Sequence, residues 1–144
     1  MIFLDASAAA KRYCEERGSN RVRDLYGEPV PVCSIALLRS ELASAINRRH
    51  REGDLSGAKR YAARELVTQD LTWLRLVPVD DELIGTSVKL LDSHALKTLD
   101  SLYLAGALNL QRVSNIPVLF VSADRQLLRA AKAEGLKVLD PETA

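Results

Sequence analysis

Short, almost wholly apolar runs alternate along this chain with longer stretches of helical periodicity, and that alternation constrains the fold more than any other feature. Residues 1–4, 30–33, 74–79, 117–121 and 136–139 read as strands. Between them lie stretches of helix formers: 6–17, stopping at Gly18; 19–26, capped by Ser19; and 35–52, capped by Ser34. Further helices are expected over 56–71, from Asp80 or Asp81 through Leu91, over 99–113 with Thr98 as cap, and over 123–134, closed by Gly135. The Gly53-Asp54 turn folds 35–52 and 56–71 into a hairpin. A strand that is apolar at every position must be covered on both faces, because successive side chains alternate between them. The pattern predicts an α/β protein, a three-layer α/β/α sandwich with a mainly parallel central sheet of four to five strands. At 144 residues the chain is expected to form a single domain, residues 1–144.

Charge and composition remove several classes of function. The net charge of +1 gives no global attraction to a polyanion, so a nucleic-acid partner would need a local basic patch. No apolar run approaches the ~20 residues of a membrane span. Residues 1–4 lack the basic segment of a signal peptide and run straight into Asp5, so a cytoplasmic protein with no membrane partner is expected. Cys14 and Cys33, with His50 and His94, cannot assemble a zinc cage or a disulfide framework, and both thiols are expected to be buried. The glycines match neither a dinucleotide-binding nor a Walker-type phosphate loop.

Four acids stand in places that need explanation. Asp5 follows the first strand and Asp124 the 117–121 strand, and each opens a helix. In a parallel sheet both positions fall on one edge, where open α/β sheets bind ligands. Each could equally serve as a helix N-cap, satisfying free amide groups and the positive helix end. Glu41 falls beside the apolar stripe Ile35, Leu38, Leu42, Ala45 and Ile46 of its helix, and Asp100 lies between Leu104 and the Tyr103–Ala107 line of an apolar helix. Carboxylates are rarely buried without compensation, and no basic residue is plainly assigned to any of these four. A clustered set would take up protons or bind cations, and an all-oxygen set suits Mg²⁺ or Mn²⁺. Ser7 and Ser122 lie two residues from Asp5 and Asp124 and could hydrogen-bond those carboxylates, although Ser122 is also a good N-cap. Arg48, Arg49 and Arg51 end the helix that carries Glu41, Arg48 being about 10 Å beyond it along the axis. They could hold flanking phosphates, as could Lys11, Arg12 and Arg125.

These residues fall in four blocks: Phe3-Leu4-Asp5-Ala6-Ser7-Ala8 leading to Lys11-Arg12-Tyr13, Leu38-Arg39-Ser40-Glu41-Leu42-Ala43-Ser44-Ala45, Leu99-Asp100-Ser101-Leu102-Tyr103-Leu104-Ala105, and Val121-Ser122-Ala123-Asp124-Arg125. In type and order they resemble the PIN-domain ribonucleases and, within them, the VapC-like toxins of type II toxin–antitoxin pairs. The resemblance covers nearly the whole chain. It implies metal-binding and catalytic roles for Asp5, Glu41, Asp100 and Asp124, a homodimer, and a cognate antitoxin whose basic side chain enters the acidic pocket. Tyr103 stands where many relatives carry His, and Ser122 where Thr is common, which leaves every carboxylate in place.

The leading expectation is a Mg²⁺/Mn²⁺-dependent endoribonuclease leaving 5′-phosphate and 3′-hydroxyl ends. Two other readings stay open: a module that grips RNA or a partner through its basic helix end with little turnover, and phosphotransfer through an aspartyl nucleophile at Asp5.

Overall fold

The computed structural model of the chain describes residues 1–143. Among them are five strands, β1 (Ile2–Leu4), β2 (Val32–Ile35), β3 (Arg75–Val77), β4 (Leu119–Val121) and β5 (Lys137–Leu139). They form one sheet of order β3-β2-β1-β4-β5. Every neighbouring pair is parallel, with Phe3 opposite Cys33 on one side and Phe120 on the other. Seven helices join them: α1 (Ala6–Ala9), α2 (Ser19–Tyr26), α3 (Leu38–Arg51), α4 (Gly57–Asp70), α5 (Asp81–Ser93), α6 (Thr98–Ser114) and α7 (Arg125–Ala133). β1 and β2 are buried at every position, as strands covered on both faces must be.

The chain steps outward from β1 to β2 and β3, then crosses back to lay β4 on the other side of β1. Strand order therefore reverses between β1 and β4, and the crevice beyond their carboxyl ends is where such sheets bind ligands. The first turn of α6 is carried to this crevice by a close packing contact. A Cβ on Gly106 would lie 2.6 Å from Ile35 Cγ2 and 3.0 Å from Phe3 Cζ, so the missing side chain lets α6 settle onto β1 and β2. Ser101 through Ala107 are all buried, as an apolar helix pressed on the sheet requires.

Several boundaries differ from expectation. The helix expected over 6–17 stops at Ala9 and tightens into a 3-10 turn, Ala10–Arg12. That turn points Lys11 at Glu142 and Arg12 at Asp70, partners remote in sequence. Ser34 does not cap α3. It lies in β2, and its hydroxyl donates to the Leu4 carbonyl at 2.7 Å, while β2 itself begins after Pro31, which has no amide hydrogen for the ladder. Ser19 is likewise inside α2 rather than its cap, bridging the Glu16 amide and the Cys14 carbonyl. The N-cap of α6 is Lys97, not Thr98, and the Thr98 carbonyl instead accepts from Ser101 Oγ. Cys14 and Cys33 are free and buried. Among the described residues no helix is long and apolar enough to cross a membrane.

Candidate active site

Asp5 sits where β1 hands over to α1, its backbone amide still donating to the Val121 carbonyl of β4 at 3.2 Å. Its carboxylate is 3% exposed and held by three donors. The Ala8 amide donates to Oδ1 at 2.9 Å, Ser122 Oγ donates to Oδ2 at 2.7 Å, and Ser7 Oγ lies 2.8 and 2.9 Å from the two oxygens. Ser7 and Ser122 are in turn fixed by the amides of Ala123 and Asp124, each at 3.0 Å. The β4–α7 loop thus clamps Asp5 through two hydroxyls. Burial pushes the Asp5 carboxyl up to about 6 despite the hydrogen bonds from Ser122, Ala8 and Ser7, and Asp100 adds to the rise.

Asp124 is the N-cap of α7, with Oδ1 accepting from Gln126 and Leu127 amides at 2.8 and 3.1 Å. Asp100 lies half-buried in the first turn of α6. Burial raises its carboxyl, and the charges of Asp124 and Glu41 raise it further, Lys97 offsetting part of this. Glu41, in the first turn of α3, is half-buried too. Glu41 and Asp100 accept no hydrogen bond of ordinary geometry among the described residues. The buried Tyr103 hydroxyl has no partner there either. After burial itself, the charges of Glu41 and Asp5, the approach of the hydroxyl to the Glu41 carboxylate and the charge of Asp100 hold its proton on.

The four carboxylates therefore share one field, and among the described residues none of them is in an ion pair. No three of them close on a common point to form a finished cage. A hard divalent ion does not require one, since Mg²⁺ keeps several waters and takes only one or two carboxylates directly. The donor set of oxygens alone, charged and without cationic partners, fits such an ion.

Beside these acids runs a cleft of about 350 Å³ lined by Ser7, Lys11, Glu41, Arg48, Arg49 and Glu142, among others. Arg48 is exposed on its wall. Arg49 is half-buried and paired with Glu16, and Lys11 is buried between Glu16 and Glu142. Arg12 is placed elsewhere: its guanidinium holds Asp70 of α4 through Nε at 2.8 Å and stacks 4.6 Å over the Tyr26 ring, and Tyr13 donates to the same carboxylate. Arg51 and Arg125 are exposed. The sequence pattern does not single out Glu16 or Glu142. Glu142 follows β5 on the same sheet edge as Asp5 and Asp124, so the rule that singled out those two acids was the available signal.

A PIN domain family model matches residues 2–133. The chain belongs to the PIN-domain family. No match was found among curated protein sequences. In fold, this PIN domain is similar to VapC20 of Mycobacterium tuberculosis, a toxin that cleaves the sarcin–ricin loop, with a TM-score of 0.66, 19% identity, and coverage of 94% of this chain and 96% of that one. A toxin–antitoxin complex from Klebsiella pneumoniae gives 0.60 at 15% identity over 98% of both chains. VapBC2 of Rickettsia felis, bound to a fragment of its promoter DNA, gives 0.64 at 12% identity, covering 97% of this PIN domain and 98% of that chain.

Proposed function

We propose that this PIN domain is a Mg²⁺- or Mn²⁺-dependent endoribonuclease and the toxin of a toxin–antitoxin pair. The observation that carries the reading is the set Asp5, Glu41, Asp100 and Asp124, in no ion pair among the described residues, with Asp5 and Asp124 at the switch point of a parallel sheet. A divalent ion bound there would lower the pKa of a coordinated water and neutralise charge developing on a phosphodiester. The chain's own part is positional. Ser7 and Ser122 hold Asp5 in one orientation and keep both of its oxygens supplied with donors. Asp100, raised by burial and by Asp124, and Glu41 supply the charge opposite. Arg48, at the rim of the cleft, is placed to meet a neighbouring phosphate.

An RNA substrate, a cognate antitoxin and a homodimer are the partners this reading implies, the antitoxin being supported by the toxin–antitoxin proteins of similar fold. A cytoplasmic location accompanies it. The test is to incubate wild-type and Asp100→Asn proteins with total RNA in Mn²⁺ and in EDTA and to map new 5′ ends. New 5′-phosphorylated ends are expected only with wild type in Mn²⁺. Cleavage that survives EDTA or the substitution would refute the reading.

A further inference from the structure

Lys11 is the one buried lysine of the described core, its side chain 3% exposed. A buried ammonium must be matched by negative charge, and how Lys11 is matched is unusual. Its Nζ donates to Glu142 Oε1 at 2.6 Å and lies 3.5 Å from Glu16 Oε1. Glu16 is divided, because its other oxygen takes Arg49 of α3. Two cations and two carboxylates balance, and without Glu142 the group would carry one uncompensated positive charge.

Glu142 comes from outside the core. Beyond β5, Asp140 caps a turn in which its Oδ1 accepts the Glu142 amide at 2.9 Å and its carbonyl accepts Thr143 Oγ1 at 3.0 Å. Pro141 is buried, and its carbonyl lies where a Cβ on Gly18 would come within 2.7 Å, at a φ of +85° that a glycine tolerates. The anchor of this segment is thus Pro141 and its turn. The Glu142 side chain, 35% exposed, reaches back over Lys11 and, with Glu16 at 28%, stands between the 3% exposed cation and solvent. The hydrogen bond from Lys11, and then the charges of Lys11, Arg17 and Arg125, hold the Glu142 carboxyl below its ordinary value, so the spot it fills is one where the protein's field favours an anion.

That spot belongs to the cleft whose walls include Ser7, which holds Asp5, and Glu41. We infer that Lys11 is a seat for a phosphodiester oxygen of a polynucleotide strand running through this cleft, and that the Glu142 carboxylate fills the seat until the strand displaces it. Lysine binds phosphate as a point charge, so exchange of one oxyanion for another needs no new geometry at Nζ. Arg48, in no ion pair among the described residues and exposed on the same wall, adds to the attraction. The nature of the anion rests on the nuclease reading above; the seat itself does not.

The test is binding without catalysis. A short fluorescein-labelled, fully 2′-O-methylated RNA is titrated in EDTA, by fluorescence anisotropy, against wild type, Glu142→Gln, Lys11→Met and the double variant, over a series of salt concentrations. Glu142→Gln is expected to bind about fivefold or more tighter than wild type at low salt, and its salt slope to steepen by roughly 0.7, the increment of one further phosphate contact on a single strand. Lys11→Met in the Glu142→Gln background is expected to abolish both effects. Equal or weaker binding by Glu142→Gln, or a gain that persists in the double variant, overturns the proposal. So does a Glu142→Gln protein that is unfolded at room temperature by circular dichroism, because an exchangeable occupant cannot be essential to the fold. Cleavage of unmodified RNA in Mn²⁺ is read separately: tight binding as described with no cleavage would refute the nuclease and leave the seat.

Discussion

Replacing Asp5 with asparagine should stabilise the metal-free protein at neutral pH while abolishing RNA cleavage. The carboxyl of Asp5 rises from 3.8 to about 6 because burial penalises its charged form more than its hydrogen bonds from Ser122, Ala8 and Ser7 favour it. At about 1.36 kcal/mol per pH unit, that rise corresponds to roughly 3 kcal/mol. The folded state holds the proton more tightly than the unfolded chain, so the stabilisation is fully present below pH 3.8 and lost as pH rises through about 6. The wild-type protein in EDTA should therefore lose up to about 3 kcal/mol of stability between pH ~4 and pH ~7 relative to Asp5→Asn, opposite in sign to ordinary acid denaturation. Asp100, also raised, acts in the same direction but is common to both proteins and largely cancels in the difference. Asparagine keeps one acceptor for Ala8 and Ser7, and Ser122 can turn its lone pairs toward the new amide, so most of the gain should survive. Urea unfolding of the two proteins across this pH range, in EDTA, measures the difference. Parallel pH profiles would show that the burial of Asp5 carries no cost and that the acidic pocket is not electrostatically frustrated.

Gly106→Ala should lower stability by about 1–3 kcal/mol in thermal melts, because its Cβ would press on Ile35 and Phe3 in a core with no room to give. Asp70→Ala, which leaves Arg12 and the Tyr13 hydroxyl without their common acceptor, should cost about 3 kcal/mol by urea denaturation. Ser122→Ala removes a donor to Asp5 and the acceptor of the Asp124 amide, and should weaken Mn²⁺ binding by roughly tenfold in isothermal titration while costing about 1–3 kcal/mol of stability in urea.

How far the fold could be read in advance depended on whether the deciding contacts were local. The five apolar runs, the helix start at Ser56, the cap at Asp80 and the glycine stop at Gly135 are set within a few residues, and they appear in the structure within a residue or two of their expected places. Ser34, a serine before a helical stretch, resembles a cap in sequence, whereas the strand claims it through the Leu4 carbonyl. The first helix is shorter than its run of helix formers because Lys11, Arg12 and Tyr13 turn toward Glu142 and Asp70, contacts more than fifty residues away that no local pattern encodes. The acids fared differently. Asp5 and Asp124 follow strands directly, so topology alone brings them to one edge, but the coupling of Asp100 to Asp124 and Glu41 depends on α6 packing at Gly106, which periodicity does not reveal.

At Asp5 and Asp124 an N-cap role and the proposed metal-binding role do not exclude one another. Asp5 caps α1 through the Ala8 amide, and Asp124 caps α7 through Gln126 and Leu127. An ionised carboxylate offers about four lone-pair positions; capping takes two at Asp124, both on Oδ1, and one at Asp5, where Ser7 and Ser122 occupy most of the rest. The cap fixes the side-chain rotamer and the helix end favours the charged form, both of which a cation ligand requires. Because the helix that each acid caps begins at the carboxyl end of a parallel strand, capping alone delivers the carboxylates to the crevice where strand order reverses. Local helix chemistry and the placement of the site are one requirement here, which is why an acid two residues out of register, however close in sequence, would not substitute.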